Sequence, residues 1–159
     1  MTADRPNRVP WPPILFGAMA LVAWLAGRVL PLPWPDAPAL AVAGWGILAT
    51  GFALDLWAMV VMTRRRANIL PHRAATALVT EGPFAWSRNP IYLGNTLVLT
   101  GCGVAFGNAW FLPAAAVAAA TVTVLAIQRE EAHLAARFGA DWLAYAARTP
   151  RWFGTSRQP

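Results

Sequence analysis

Four apolar stretches, residues 14–31, 39–63, 91–106 and 110–127, alternate with short segments that hold nearly all of the charge, and this alternation restricts the chain to a membrane-spanning helical fold. Each stretch approaches the ~20 residues a helix needs to cross hydrocarbon; the third, at 1.5 Å per residue, covers only about 24 Å and is expected to stop below the membrane surface. Only 13% of the 159 residues are charged and 57% are hydrophobic, whereas roughly a quarter of an average soluble domain is charged. A chain this small cannot hide so much apolar surface within itself. The expected fold is all-α: a single membrane-embedded domain over residues 1–159, with about four transmembrane helices and a cytoplasmic C-terminal amphipathic helix.

Charge sets the expected orientation. All 13 basic residues are arginine, and all but Arg28 fall in three groups: Arg5 and Arg8; Arg64, Arg65, Arg66, Arg73 and Arg88; Arg129, Arg137, Arg148, Arg151 and Arg157. The positive-inside rule puts both termini and segment 64–89 in the cytoplasm, and therefore requires an even number of spans. Arg28 lies near the far end of the first span, where its long side chain can snorkel to the interface. The formal charge of +6 is thus read as facing anionic lipid rather than nucleic acid.

Several simpler roles are weighed first. The first stretch is long for a cleaved signal peptide, and more spans follow it. The lone Cys102 sits beside Gly101 and Gly103 in an apolar run and reads as a small packing residue. His72 and His133 are the only histidines, so no zinc ligand set is expected. No glycine pattern follows a strand to open a helix, which excludes a Rossmann domain. Asp55 is the exception to the apolar second stretch, some 13 Å inside it. At that depth it must be protonated, paired or facing a watery cavity, either as a structural partner for Asn95 or Thr96 or as part of an acceptor channel.

Two polar islands look like chemistry. Residues 78–94 read LVTEGPFAWSRNPIYLG: a Gly82–Pro83 turn, an interfacial Trp86, a cap at Ser87 or Asn89, and Pro90 opening a helix. That reading accounts for everything except Arg88, which stands at a helix N-terminus with Asn89 and Tyr92 nearby; exposed N–H groups and a guanidinium fork suit a carboxylate. Residues 129–153 read REEAHLAARFGADWLAYAARTPRWF. This segment reads as an amphipathic helix on the inner leaflet, broken at Gly139, yet Glu130 and Glu131 have no use for an anionic surface. They either pair with Arg129 or Arg137 or accept hydrogen bonds from a cationic or hydroxyl-rich ligand. Both islands flank the hairpin of spans three and four, which gathers Arg88, Asn89, Tyr92, Glu130, Glu131 and Tyr145 at one membrane face.

At this point the chain resembles the isoprenylcysteine carboxyl methyltransferase and phospholipid methyltransferase superfamily, as a bacterial member. In that family a segment like LVTxGPFxxxRHPxYLG precedes a membrane hairpin followed by EExxLxxxFGxxYxxYxxxxPR. Glu81 to Phe84, Arg88, Pro90, Tyr92 and Gly94 occupy the first motif, with Asn89 where eukaryotic members have His. Glu130, Glu131, Leu134, Phe138, Gly139, Tyr145, Pro150 and Arg151 occupy the second, with Trp142 in place of the usual Tyr. Asn68, Pro71 and His72 look like a further element of bacterial relatives. The resemblance covers about half the chain, and Asn89, which takes up no proton near neutral pH, puts any base at that position in doubt.

What the resemblance implies is methyl transfer from S-adenosylmethionine by in-line displacement. Arg88, Glu131 and Asn89 are the expected catalytic residues. Arg88, Asn89, Pro90, Tyr92, Leu93, Glu130, Glu131 and Tyr145 are expected to hold the cofactor, and His72, Asp55 and Arg151 the substrate. Rings of Tyr92, Trp142 or Tyr145 can stack on adenine or face the sulfonium. The expected acceptor is a membrane-borne or apolar molecule, with an isoprenylcysteine-like carboxylate or other lipid acid favoured over a phospholipid amine or a thiol. A sterol-type nicotinamide-dependent reductase, which has many more spans, and a non-enzymatic membrane adaptor are the readings of a different class. The bacterial inner membrane is the expected location; oligomeric state is not readable from the sequence.

Overall fold

The computed structural model describes residues 11–68 and 76–153. His72, expected to meet the substrate, and Pro71 lie outside the described residues. All described elements are helical: α1 (Trp11–Val29), α2 (Pro38–Arg64), a 3₁₀ turn (Gly82–Ala85), α3 (Pro90–Phe106), α4 (Phe111–Val122), a five-residue π-helical segment (Thr123–Ile127), α5 (Gln128–Phe138) and α6 (Ala140–Arg148). Proline falls in the first turn of each of the four long apolar elements, at Pro12 and Pro13, Pro38, Pro90 and Pro113. There its missing N–H costs nothing and its fixed φ suits the helix.

Three helices are long and apolar enough to cross a membrane, Pro12–Val29, Pro38–Arg64 and Phe111–Phe138, and Pro90–Phe106 is a shorter apolar helix of 17 residues, about 26 Å long. The fourth stretch does not end where the sequence suggests. No glycine or proline lies between Val122 and Phe138, so the helix runs on through the π segment and carries Glu130 and Glu131 on the same 28-residue element. The C-terminal segment is broken at Gly139, as its residue type predicts, into α5 and α6; the glycine's φ of 53° is left-handed. Large apolar side chains such as Leu21, Trp24, Phe52, Leu56 and Val124 point outward. That surface would be untenable in water; this is an integral membrane protein.

The chain packs as two compact units, one holding Leu54–Ile91 and the chain from Thr123 onward, the other Trp11–Ala53 and Tyr92–Val122. In the second, glycines let α2 and α3 approach closely. A methyl group on Gly44 would lie 2.1 Å from the Ala105 nitrogen, one on Gly51 2.7 Å from the Gly94 carbonyl oxygen, and one on Gly101 2.5 Å from the Leu48 nitrogen. The turn after α3 is left-handed at Gly107 (φ 65°), and Asn108 ties it to α1 by donating Nδ2–H to the Ala23 carbonyl at 3.1 Å. The Trp110 indole donates to the Leu30 carbonyl at 2.8 Å, just past the end of α1. Arg28 lies 5.7 Å from the Trp24 ring centroid, its alkyl stem along the helix surface.

Candidate functional site

The site belongs to the first unit and starts at the end of α2. Arg66 takes a left-handed conformation (φ 53°), and its carbonyl accepts from the Thr76 hydroxyl at 2.8 Å. Arg65 forks onto the Glu81 carboxylate through Nε and Nη2, which holds that exposed carboxyl below its usual range and raises the guanidinium. Gly82 is also left-handed (φ 60°), and a side chain there would press on Val61 at 3.0 Å. The 3₁₀ turn that follows sets Trp86 edge-on against Trp57, their centroids 5.5 Å apart.

Ser87 and Asn89 are buried, as befits the last loop residues before α3. The Ser87 hydroxyl accepts from the Asn89 N–H at 3.1 Å. Their remaining polar groups go to the chain just past α6: Arg88 N–H donates to the Pro150 carbonyl at 2.9 Å, and Asn89 Nδ2 and Ser87 Oγ donate to the Arg151 carbonyl at 2.9 and 3.3 Å. The Asn89 amide is therefore engaged by backbone, and Pro90 is fully buried beside it.

Arg88 is central to what remains. Its side chain is 14% exposed and its Nη1 stands 3.3 Å from Glu131 Oε1, itself 13% exposed. Its Cζ lies 5.6 Å from the centroid of the buried Trp142 ring. Arg151 grips the same carboxylate harder, with Nη2 at 2.6 Å from Oε2 and Nε at 3.0 and 3.2 Å from the two oxygens. That hydrogen bond raises the Arg151 guanidinium above its ordinary range. Two guanidinium ions thus share one carboxylate. Arg88 Nε is buried with no hydrogen-bond partner, and a buried orphan donor costs about 1–3 kcal/mol until something accepts from it. The arrangement is built to receive an anion or a carbonyl.

Other expected residues lie on α2, α3, α5 and α6. Tyr145 is buried, 5.7 Å by ring centroid from Trp142, and its hydroxyl donates to the Phe84 carbonyl at 2.7 Å; burial pushes its phenol well above the ordinary value against the pull of Arg88 and Arg148. Glu130 is half-buried on α5, and Asp55 Oδ1 is buried in α2 without a partner. Tyr92 and Leu93 lie in the first turn of α3, within the other unit, where the Tyr92 carbonyl accepts from Thr96. Sequence reasoning missed the Pro150 and Arg151 carbonyls, and also the Trp152 indole, which donates to Thr123 Oγ1 in the π segment at 3.1 Å. Backbone acceptors leave no mark on residue type.

A family model described as phospholipid methyltransferase matches residues 40–141, which include both Arg88 and Glu131. The chain belongs to the phospholipid methyltransferase family. This family sits within the superfamily that the two motifs suggested. Among curated proteins, the chain is similar to the nickel-cobalt-cadmium resistance protein NccN of Alcaligenes xylosoxydans xylosoxydans, 30% identical over 76% of this chain and 52% of that protein. It is also similar to the cobalt-zinc-cadmium resistance protein CzcN of Cupriavidus metallidurans, 31% identical over 62% of this chain and 41% of that protein. The chain spans about half the length or less of these relatives. No solved structure matches it.

Proposed function

We propose that this phospholipid methyltransferase family member transfers a methyl group from S-adenosylmethionine to a membrane-borne or apolar acceptor. The observation that carries this reading is the orphan donor edge of Arg88, buried beside a carboxylate that two guanidinium ions already fix. The residues fit the donor. Arg88 Nε suits its carboxylate, Glu130 its ammonium or ribose hydroxyls, and the face of Trp142 a flat ring or a cation. When bound, S-adenosylmethionine supplies a methyl group made electrophilic by a sulfonium. The protein's own part is to hold and orient: Glu131 anchors Arg88, Trp142 floors it, and closely packed side chains exclude water.

The acceptor favoured is a lipid acid. Asn89 is spent on the Arg151 carbonyl and Glu131 on two arginines, so neither is well placed to remove a proton. A carboxylate acceptor is already ionised at neutral pH, while an amine or thiol must first be deprotonated. The short α3, 17 residues long, supports sideways entry of the acceptor from the bilayer. Both termini face the cytoplasm on this reading, and Phe153→Cys should stay unlabelled by an impermeant reagent added outside intact cells. The metal-resistance names belong to the relatives, and the reaction proposed for this chain follows the family's chemistry instead.

Binding of S-adenosylmethionine and of reduced nicotinamide cofactors to purified, detergent-solubilised protein tests the reading. The methyl donor should bind and the nicotinamides should not. Arg88→Ala and Glu131→Ala should each weaken donor binding by about 1.5–3 kcal/mol, the worth of a hydrogen bond to a charged group, and abolish turnover. Donor binding at wild-type strength in both variants would remove these residues from the site.

A further inference from the structure

The short peptide Thr149–Trp152 lies beyond the residues matched by the family model, which end at 141. It leaves α6 extended, with Thr149 at φ −116° and ψ 126°, and touches three separate pieces of chain. Its Pro150 and Arg151 carbonyls accept from Ser87, Arg88 and Asn89. Its Arg151 side chain grips Glu131 on α5. Its Trp152 indole reaches Thr123 in the π segment, a wide turn of the kind that recurs at functional sites.

The division of labour at Glu131 is the telling point. An arginine and a carboxylate prefer two parallel hydrogen bonds, yet Arg88 makes a single long contact of 3.3 Å and leaves Nε unpaired. Arg151 bonds both oxygens, at 2.6 and 3.0 Å, so the carboxylate is aligned to Arg151 rather than to Arg88. Without Arg151, Arg88 would be free to close its own fork on Glu131 and use up the donor edge that a ligand needs.

We propose that Thr149–Trp152 is a positioning strap for the methyl-transfer site and that Arg151 is its positioning residue, holding Glu131 so that Arg88 keeps Nε available for an anionic ligand. The inference rests on the methyl-donor reading for the identity of that ligand, but not for the strap itself. Calorimetric titration with S-adenosylmethionine should show Arg151→Ala binding about tenfold or more weaker, the scale of one hydrogen bond to a charged group, with Arg151→Lys in between. Millimolar ethylguanidinium should restore binding to Arg151→Ala with no more than the small rise in melting temperature that its own binding brings, a rescue that no general folding defect would show. Binding by Arg151→Ala within twofold of wild type overturns the proposal, as does a loss that ethylguanidinium leaves untouched. If wild-type protein itself fails to bind the donor, the methyl-donor reading falls and the strap is judged on ligand-free protein by amide hydrogen exchange along α5. Faster exchange in Arg151→Ala, slowed again by ethylguanidinium, upholds the strap; unchanged exchange overturns it.

Discussion

The guanidinium of Arg88 lies over the indole of Trp142, 5.6 Å from its centroid, and the ring is 5% exposed. A cation shielded from water on an aromatic face gains about 0.5–2 kcal/mol. Trp142→Leu removes the quadrupole along with part of the ring's bulk, and should weaken donor binding by about that amount. Trp142→Phe keeps an aromatic face and should lose less. Titration of the two variants with S-adenosylmethionine separates them; equal losses would assign Trp142 to packing alone.

Tyr145 yields a prediction about pH. Its hydroxyl donates to the Phe84 carbonyl and burial raises its phenol above the ordinary value of 10.0. Because the folded state favours the neutral phenol, the stabilisation is complete below about pH 10 and is lost as the pH rises beyond it. Tyr145→Phe should lower stability by about 0.5–1.5 kcal/mol near neutrality and flatten the alkaline fall of the melting temperature. It should leave the pH dependence of methyl transfer unmoved, since a phenol held protonated is no base at working pH. A shifted rate profile would put the phenol in the chemistry.

Helix approach in the other unit is open to a paired test. Gly101→Ala forces a methyl group to within 2.5 Å of the Leu48 backbone, whereas Gly17→Ala meets nothing within 4 Å. Overpacking should cost the first variant about 1–3 kcal/mol. The second should gain about 0.5–1 kcal/mol from helix propensity alone. Thermal melting in a single detergent reads both; a Gly101→Ala chain as stable as wild type would mean the helices can separate cheaply.

The acceptor can be approached with a panel of acids, amines and thiols, each with and without a long alkyl chain, assayed for transfer of a labelled methyl group. Long-chain acids should turn over fastest. Equal turnover of the short, water-soluble members would rule out entry from the bilayer, and faster turnover of amines would reverse the preference for an acid.

Much of the helical architecture was legible from the chain alone because apolar length is a property of residue type. The spans at 14–31, 39–63 and 91–106 lie close to α1, α2 and α3, and the break at Gly139 follows from the residue itself. Arg88 and Glu131 could be assigned to one pocket in advance because each is a charge beside an apolar stretch, but their ion pair could not, since Arg129 and Arg137 were the expected partners of the glutamates. The end of the fourth span was not legible, since a π segment needs no special residue and nothing between Val122 and Arg129 marks a stop. Nor was the role of Asn89: its amide meets a carbonyl 62 positions away, and a carbonyl belongs to every residue alike. Trp152 and Thr123 found each other for the same reason, through folding rather than spacing.

The cations paired with Glu131 are both guanidinium groups, the chain has no lysine at all, and the Tyr145 phenol is buried and held protonated. Guanidinium stays charged at any physiological pH and offers no lone pair, and an amide such as Asn89 is scarcely more reactive. The nucleophiles that remain are carboxylates, and the oxygens of Glu131 are tied to Arg88 and Arg151. In the proposed reaction a free lipid carboxylate would meet the activated methyl group with lone pairs that Glu131 has already committed, so the clasp that orients the donor site would also slow methylation of the protein's own carboxylate.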